Sequence, residues 1–159
     1  MSDTVTFRAP VCEDGPAIHA LIAACPPLDV NSAYLYHLIG AHFSATSVVA
    51  GVDGAIVGVV TGYRPPEQPD ILFIWQAAVG EAGRGKGLAT RMLDHVVQRN
   101  QDCRWIHTTI GPSNDASHAL FKRYATQRNS NLERRDFIPA DACGPGHEAE
   151  DLIIVGPLS

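Results

Sequence analysis

The residues best suited to chemistry lie in one glycine-rich turn, Gly83-Arg84-Gly85-Lys86-Gly87. An apolar run precedes this turn, and a pattern typical of a helix begins at Leu88. Backbone N–H groups at a helix N-terminus form an anion site that suits a diphosphate, and glycine lets a phosphate approach the backbone closely. The turn therefore predicts a site for a phosphorylated ligand.

Two common phosphate motifs do not fit this turn. It lacks the Lys-Ser/Thr ending of a P-loop, and it lacks the G-x-G-x-x-G spacing of a dinucleotide fold. One alternative stays open, in which the glycines only supply a tight connection between a strand and a helix.

A second group of polar residues lies near the C-terminus. His147 and Glu150 have the spacing of a metal-binding pair on a helix, but Gly144-Pro145-Gly146 disfavours a helix there and no third ligand is evident. We therefore expect no metal. The four cysteines lie far apart without a C-x-x-C pair, so we expect reduced, structural thiols.

Composition limits the class of protein. A chain of 159 residues with 45% hydrophobic content predicts a single domain over 1–159 with a sizeable core. The net charge of -5 provides no broad cationic field, so nucleic acid is not an expected partner. We find neither a leader pattern at Met1–Pro10 nor an apolar run of about 18 residues, which predicts a cytoplasmic protein rather than a secreted or membrane one.

The first half of the chain reads as a strand, two helices and a hairpin. Val5 and Phe7 alternate with polar residues as in a strand, and Asp14 stands at the N-cap of a helix over Gly15–Ala24. After two prolines, a second helix is predicted to begin at Asn31 or Ser32 and to end at His42 and Phe43, with its apolar stripe formed by Tyr34, Leu35, Leu38 and Ile39. Asp53-Gly54 separates the apolar runs Ser47–Val52 and Ala55–Thr61, which predicts a type I′ hairpin.

The second half alternates strands with helices. Ile71–Val79 is predicted to be a central strand buried on both faces, and Trp105–Ile110 and Leu152–Val155 are predicted to be further strands. Gln127–Arg135 is polar and is interpreted as a loop. Two helices are expected to bury Leu88, Met92, Leu93, Val96 and Val97 in one case, and Ala116, Ala119, Leu120 and Phe121 in the other. This mixture predicts an α/β (α+β) sheet with helices on both faces.

Two motifs resemble those of the GNAT acetyltransferases. Arg84, Gly87 and Ala89 are similar to the R/Q-x-x-G-x-G/A motif that cradles coenzyme A, and Asn114 with Ser117 begins a segment similar to the N-x-x-A-x-x-L-Y helix. The resemblance implies the GNAT fold, with a central mixed, mostly antiparallel sheet, and acetyl-CoA as cosubstrate. It implies cofactor contacts from Ala77, Val79, Arg84, Gly85, Lys86, Gly87, Leu88, Ala89, Asn114 and Ser117. Asn114 could instead serve only as a helix cap.

Longer segments between Arg8 and Leu158 resemble the diaminobutyrate acetyltransferases of ectoine biosynthesis. They are Pro26–Tyr34, Gly62-Tyr63-Arg64, Leu72–Val79, Gly146–Glu150 and Gly156-Pro157-Leu158. The resemblance implies a homodimer that acetylates the side-chain amine of L-2,4-diaminobutyrate. It places Asp29, Asn31, Ser32, Tyr34, Trp75, His147 and Glu150 on the substrate side.

The same resemblance implies roles for individual groups. Glu150 is the candidate base, and the Val79 N–H is the candidate donor to the thioester oxygen. Phe121 stands where many GNAT enzymes have a tyrosine acid, so the acid stays unassigned. Trp75 could be a core residue and Asp29 a turn residue. Two functions also stay open: a GNAT enzyme for another small amine or amino acid, and a non-enzymatic acetyl-CoA-binding module.

Overall fold

Three antiparallel strands form the N-terminal part of the sheet. They are β1 (Val5–Arg8), β2 (Val48–Val52) and β3 (Ala55–Tyr63), and β2 pairs with both of the others. Asp53 and Gly54 have φ values of 51° and 80°, and Val52 pairs with Ala55 across the turn. Positive φ at both central residues is the signature of a type I′ turn, so the hairpin prediction is confirmed.

The computed structural model describes residues 4–158, and the chain forms two units. The first unit holds the residues up to Tyr63 together with Trp75–Gln101, and the second holds Arg64–Ile74 and the residues from Asp102 onward. The prediction of a single domain over 1–159 stays a prediction.

Helices cover both faces of the first unit's strands. Helices α1 (Gly15–Ala23) and α2 (Ala33–His42) pack in a core that includes Val49 and Val59. Helix α3 (Leu88–Gln98) packs against the opposite face, where the Met92 methyl carbon lies 2.9 Å from where a Cβ on Gly58 would be. Because neighbouring strand residues face opposite sides, helices on both faces are confirmed.

Strand β4 (Ile71–Val79) belongs to both units, and its exposure alternates along its length. Leu72, Ile74 and Ala78 are buried, whereas Trp75 is 39% exposed. The prediction of burial on both faces is therefore wrong for most of this strand. The alternation of buried and more exposed residues could not be read from the sequence, because the residues on the open face are also apolar.

The second unit continues the mixed, seven-stranded sheet. Its strand β5 (Trp105–Ile110) lies parallel to the first part of β4, from Ile71↔Trp105 to Ile74↔Thr108. Strand β6 (Asn131–Ile138) pairs antiparallel with β7 (Glu150–Gly156), which pairs antiparallel with β5. Helix α4 (Asp115–Gln127) packs on β6 and β7. The prediction of a mixed, mostly antiparallel sheet is thus confirmed.

Two predictions about these elements need correction in the second unit. Residues from Asn131 form strand β6 rather than a loop, because backbone pairing with β7 holds a segment that is exposed nearly throughout and therefore shows no apolar period. In α4, Ala116 and Ala119 are exposed, whereas Leu120 and Phe121 are buried with Tyr124 and Ala125.

Helix α2 also differs from its prediction. Ser32 is its N-cap, as expected, but its buried residues are Tyr36, Ile39 and Gly40. Tyr34 is 70% exposed, so placing it in the apolar stripe was wrong. In contrast, all five residues predicted for the buried face of α3 are buried.

Candidate active site

The glycine turn has the backbone shape that an anion site needs. Gly85 and Gly87 have φ values of 79° and 64°, and nothing lies within 4 Å of a Cβ at either position. Glycine is therefore needed here for its left-handed backbone and not for space. Helix α3 begins at Leu88, so its first-turn N–H groups have no acceptor within the helix and carry the positive end of its dipole.

A hydrogen bond to strand β3 fixes the segment that leads into the turn. Gly80 N donates to Val57 O at 2.8 Å, and Gly83 N donates to Gly80 O at 2.9 Å. A Cβ on Gly83 would lie 2.9 Å from the Leu88 side chain. The start of α3 is therefore fixed against β3, while Arg84 and Gly85 stay exposed. This arrangement suits a diphosphate that binds from the solvent side.

Val79 ends strand β4, in the segment that continues beyond its register with β5. That register ends at Ile74↔Thr108, and the strand runs on to Val79. The Val79 carbonyl accepts a hydrogen bond from Cys25 Sγ at 3.6 Å. Both Val79 and Ala77 are half-buried, on the open face of the strand. Their contact with the cofactor stays a prediction.

Trp75 belongs to a series of aromatic contacts in the first unit. Its ring meets that of Tyr63 edge to face, with centroids 5.8 Å apart, and Tyr63 in turn lies 6.2 Å from Phe43. A tryptophan that is 39% exposed does not fill a core. Its partly open aromatic surface suits a ligand that carries an ammonium group.

The segment 29–32 lies between α1 and α2 without helix or strand structure. Asp29 and Ser32 are exposed and Asn31 is half-buried. Ser32 occupies the N-cap of α2, yet its side chain makes no capping hydrogen bond. Asp29 and Ser32 are therefore accessible to a charged ligand.

Gln76 and Tyr36 are two residues that sequence reasoning missed. The Gln76 amide is buried and bonds to the Asp29 carbonyl and to the Tyr36 hydroxyl. A polar residue inside the apolar run Ile71–Val79 was the available signal, since a buried amide needs partners.

In the second unit, His147 and Glu150 lie in a loop and at the start of a strand. His147 N donates to Gly144 O at 3.1 Å, and its ring Nδ1 lies 2.7 Å from Glu148 O. Glu150 is half-buried and opens β7. These two residues are not on a helix, and within residues 4–158 no three His, Cys, Asp or Glu side chains are grouped to hold a metal.

The start of α4 confirms one role of Asn114. Its Oδ1 accepts from Ser117 N at 3.2 Å and caps the helix. Glu148 Oε1 accepts from Ser113 Oγ at 3.0 Å and fills the space beside Gly111 that a side chain there would need. The turn before α4 is therefore fixed, while contact of Asn114 and Ser117 with a cofactor stays a prediction.

Arg64, from the Gly62-Tyr63-Arg64 segment, has a structural role in the second unit. Its guanidinium bonds both oxygens of Asp102 at 2.7 Å and also donates to Pro69 O at 3.1 Å. The hydrogen bond from Arg64 holds the pKa of Asp102 below its usual range. This pair fastens the proline-rich link before β4.

Comparison with known proteins agrees with this geometry. The acetyltransferase (GNAT) family model matches residues 16–125. The L-2,4-diaminobutyric acid acetyltransferase of Methylotuvimicrobium alcaliphilum is 46% identical over 97% of this chain and 91% of its own length. That of Chromohalobacter salexigens is 44% identical over 98% and 82%. The chain belongs to the GNAT acetyltransferase family and, within it, to the diaminobutyrate acetyltransferases.

Solved structures support the same assignment. The diaminobutyrate acetyltransferase EctA of Paenibacillus lautus, in complex with its substrate L-2,4-diaminobutyric acid and coenzyme A, has a TM-score of 0.93 and 36% identity, covering 98% of this chain and 96% of that chain. Ard1 of Thermoplasma volcanium, at a TM-score of 0.78 and 16% identity over 98% and 99%, shares the fold. Among residues 4–158, no helix is both long and apolar enough to cross a membrane.

Proposed function

We propose that this enzyme transfers the acetyl group of acetyl-CoA to the N4 amine of L-2,4-diaminobutyrate, giving N4-acetyl-2,4-diaminobutyrate for ectoine biosynthesis. The observation that carries the proposal is the likeness, at a TM-score of 0.93, to a structure that holds both diaminobutyrate and coenzyme A. The glycine turn with its two left-handed residues supports the cofactor half of the reaction.

The turn before α3 is proposed to hold the cofactor's diphosphate. Bound acetyl-CoA supplies the thioester that the amine attacks. The backbone N–H groups of Gly85–Ala89 lie at the N-terminus of α3, and the Arg84 and Lys86 side chains add positive charge. The N–H of Val79 is proposed to donate to the thioester oxygen as negative charge develops there.

The acceptor is a small zwitterion with an additional ammonium. Carboxylates at Asp29 and Glu150 are proposed to attract its cationic groups, and donors at Asn31 and Ser32 its carboxylate. Tyr34, Trp75 and His147 are proposed to complete the contacts. Exposure of Asp29, Ser32 and Trp75 supports this proposal, since each is accessible to a ligand.

Glu150 is the proposed general base. An alkylamine has a pKa of about 10 in water, so a proton must leave before the nitrogen can attack. Glu150 would take it directly or through a water molecule. Phe121 cannot act as an acid, and the Tyr124 phenol is fully buried under the Arg128 guanidinium. We propose that water protonates the departing thiolate.

Release of CoA thiol in the presence of each amine tests the proposal. We expect the rate of CoA release to be clearly higher with diaminobutyrate than with lysine or ornithine. We also expect NMR of the product to show the acetyl group on N4. Equal rates with all three amines would indicate a GNAT enzyme of another specificity. Binding of acetyl-CoA without release of thiol would indicate a binding module.

A homodimer and a cytoplasmic location complete the proposal. The dimer rests on the family resemblance, and light scattering after size exclusion measures it. All four cysteines are free, which is typical of a reducing compartment.

A further inference from the structure

Gln76 is a buried polar residue in a strand that is otherwise apolar, and both ends of its side-chain amide are engaged. It is 7% exposed. Its Nε2 donates to Asp29 O at 2.6 Å, and its Oε1 accepts from the Tyr36 hydroxyl at 2.8 Å. Its backbone N–H donates to Thr61 Oγ1 at 3.1 Å, which fixes β4 against β3 at this residue.

Tyr36 connects the same segment from helix α2. The side chain is fully buried. Its hydroxyl donates to Gln76 and accepts from Asn31 N at 3.3 Å. One phenol oxygen therefore joins a helix, a strand and the connecting segment.

The segment between Asp29 and Asn31 depends on these bonds for its position. It has neither helix nor strand structure, and Val30 is 47% exposed. The Asp29 carbonyl is held by Gln76 and the Asn31 N–H by Tyr36, so the backbone is fastened at both ends. Buried hydrogen bonds of this kind are costly to leave unmade.

We propose that Gln76 and Tyr36 are positioning residues that fix Asp29 and Asn31 for recognition of the acceptor amine. The inference rests on the proposed function, because that function assigns the acceptor to Asp29 and Asn31. Neither Gln76 nor Tyr36 is assigned a substrate contact. Their loss would loosen the acceptor side of the site and leave the glycine turn intact, so the effect falls on amine binding rather than on acetyl-CoA binding.

The first experiment compares Tyr36→Phe with Thr108→Val, using CoA release and thermal unfolding. Thr108 is a matched control, because its buried hydroxyl donates at the same distance, 2.8 Å, to Ile74 O. Tyr36→Phe should raise the KM for diaminobutyrate about fivefold to thirtyfold and leave the KM for acetyl-CoA within about twofold. Thr108→Val should leave both KM values unchanged.

The second experiment compares Gln76→Glu with Gln76→Met, using calorimetry of diaminobutyrate binding in the presence of CoA. Burial raises the pKa of a carboxyl group, and a protonated Glu can donate to Asp29 O while it accepts from Tyr36. We divide the affinity of Gln76→Glu for diaminobutyrate by that of wild type at the same pH. This ratio should be higher at pH about 5.5 than at about 8.5. Gln76→Met should bind weakly at both.

The results separate this inference from the proposed function. A folded Tyr36→Phe protein with unchanged KM values, or with both KM values raised equally, would overturn the positioning role. A folded Gln76→Met protein that binds diaminobutyrate as well as wild type would also overturn it. Absence of a pH-dependent recovery in Gln76→Glu would also count against it, and this measurement decides the matter if Tyr36→Phe does not fold. A wild-type protein that releases no CoA with diaminobutyrate would instead refute the proposed function.

Discussion

The indole of Trp75 and the ring of Tyr63 meet at an interplanar angle of 82°, with their centroids 5.8 Å apart. This edge-to-face contact orients an indole that is 39% exposed. The face of an oriented aromatic ring attracts ammonium groups. Trp75 is therefore accessible to a ligand, which supports its proposed contact with the ammonium group of the substrate.

Replacing Trp75 tests that role. Trp75→Ala should raise the KM for diaminobutyrate about tenfold, the size expected for a desolvated cation–π contact with some lost packing, and should change the KM for acetyl-CoA little. Trp75→Phe should lie between it and wild type, because it keeps an aromatic face. Steady-state kinetics with each substrate varied would show this, and an unchanged amine KM in Trp75→Ala would count against the contact.

Replacing Glu150 tests the proposed base. Glu150→Gln should lower kcat about 100-fold or more, because a general base contributes a factor of about this size to the rate. Binding of acetyl-CoA, measured by calorimetry, should not change. Glu133→Gln serves as the control, since Glu133 is an exposed carboxylate on β6 paired with Arg135. Normal turnover in Glu150→Gln would refute its role.

The left-handed glycines give a test of the cofactor site. Gly87→Ala should weaken acetyl-CoA binding, because alanine at φ 64° costs about 1–2 kcal/mol and shifts the start of α3. Gly54→Ala is a matched control: its φ is 80°, its surroundings are equally open, and it lies in the hairpin turn. Both variants should lose stability in urea, but only Gly87→Ala should lose cofactor affinity. Equal affinity in the two variants would argue against the turn as the diphosphate site.

Asp14 gives a test of pH-dependent stability. The hydrogen bond from Arg8, with a further one from the Val11 N–H, lowers the pKa of Asp14 below its usual range. Its stabilisation is therefore complete above the unfolded-state pKa of about 3.9 and is lost as the pH falls through the lower folded-state value.

Urea unfolding of Asp14→Asn should show this dependence. Because Arg8 is half-exposed, the loss at pH 7 should be modest, about 1 kcal/mol. The difference from wild type should shrink as the pH falls below about 4. Asp53→Asn, at an exposed turn residue, should change the free energy of unfolding little at pH 7. A difference at Asp14 that grows on acidification would contradict the assignment.

The elements with a strong local pattern were predictable from the sequence. The hairpin at Asp53-Gly54 follows from turn chemistry, and the buried face of α3 follows from its helical period. Strand β6 was not predictable in this way, because its pairing with β7 leaves its side chains exposed and gives its residues no period.

The candidate site shows a similar division. The glycine turn could be predicted from the sequence, because the residues that form it are consecutive in the chain. The bonds of Gln76 and Tyr36 to segment 29–32 were not, because they join residues up to 47 positions apart. Tyr34 shows the opposite error: a tyrosine at helical spacing resembled a core residue but is 70% exposed.

The side-chain oxygen of Asn114 accepts a hydrogen bond from the backbone N–H of Ser117. The side-chain nitrogen then remains as a hydrogen-bond donor. The Nδ2 group can only donate, so any molecule that bonds to it must present an acceptor such as an oxygen. Aspartate would cap the helix equally well and yet present no hydrogens at all. The side-chain amide of Asn114 can thus cap the helix through its oxygen and donate a hydrogen bond through its nitrogen.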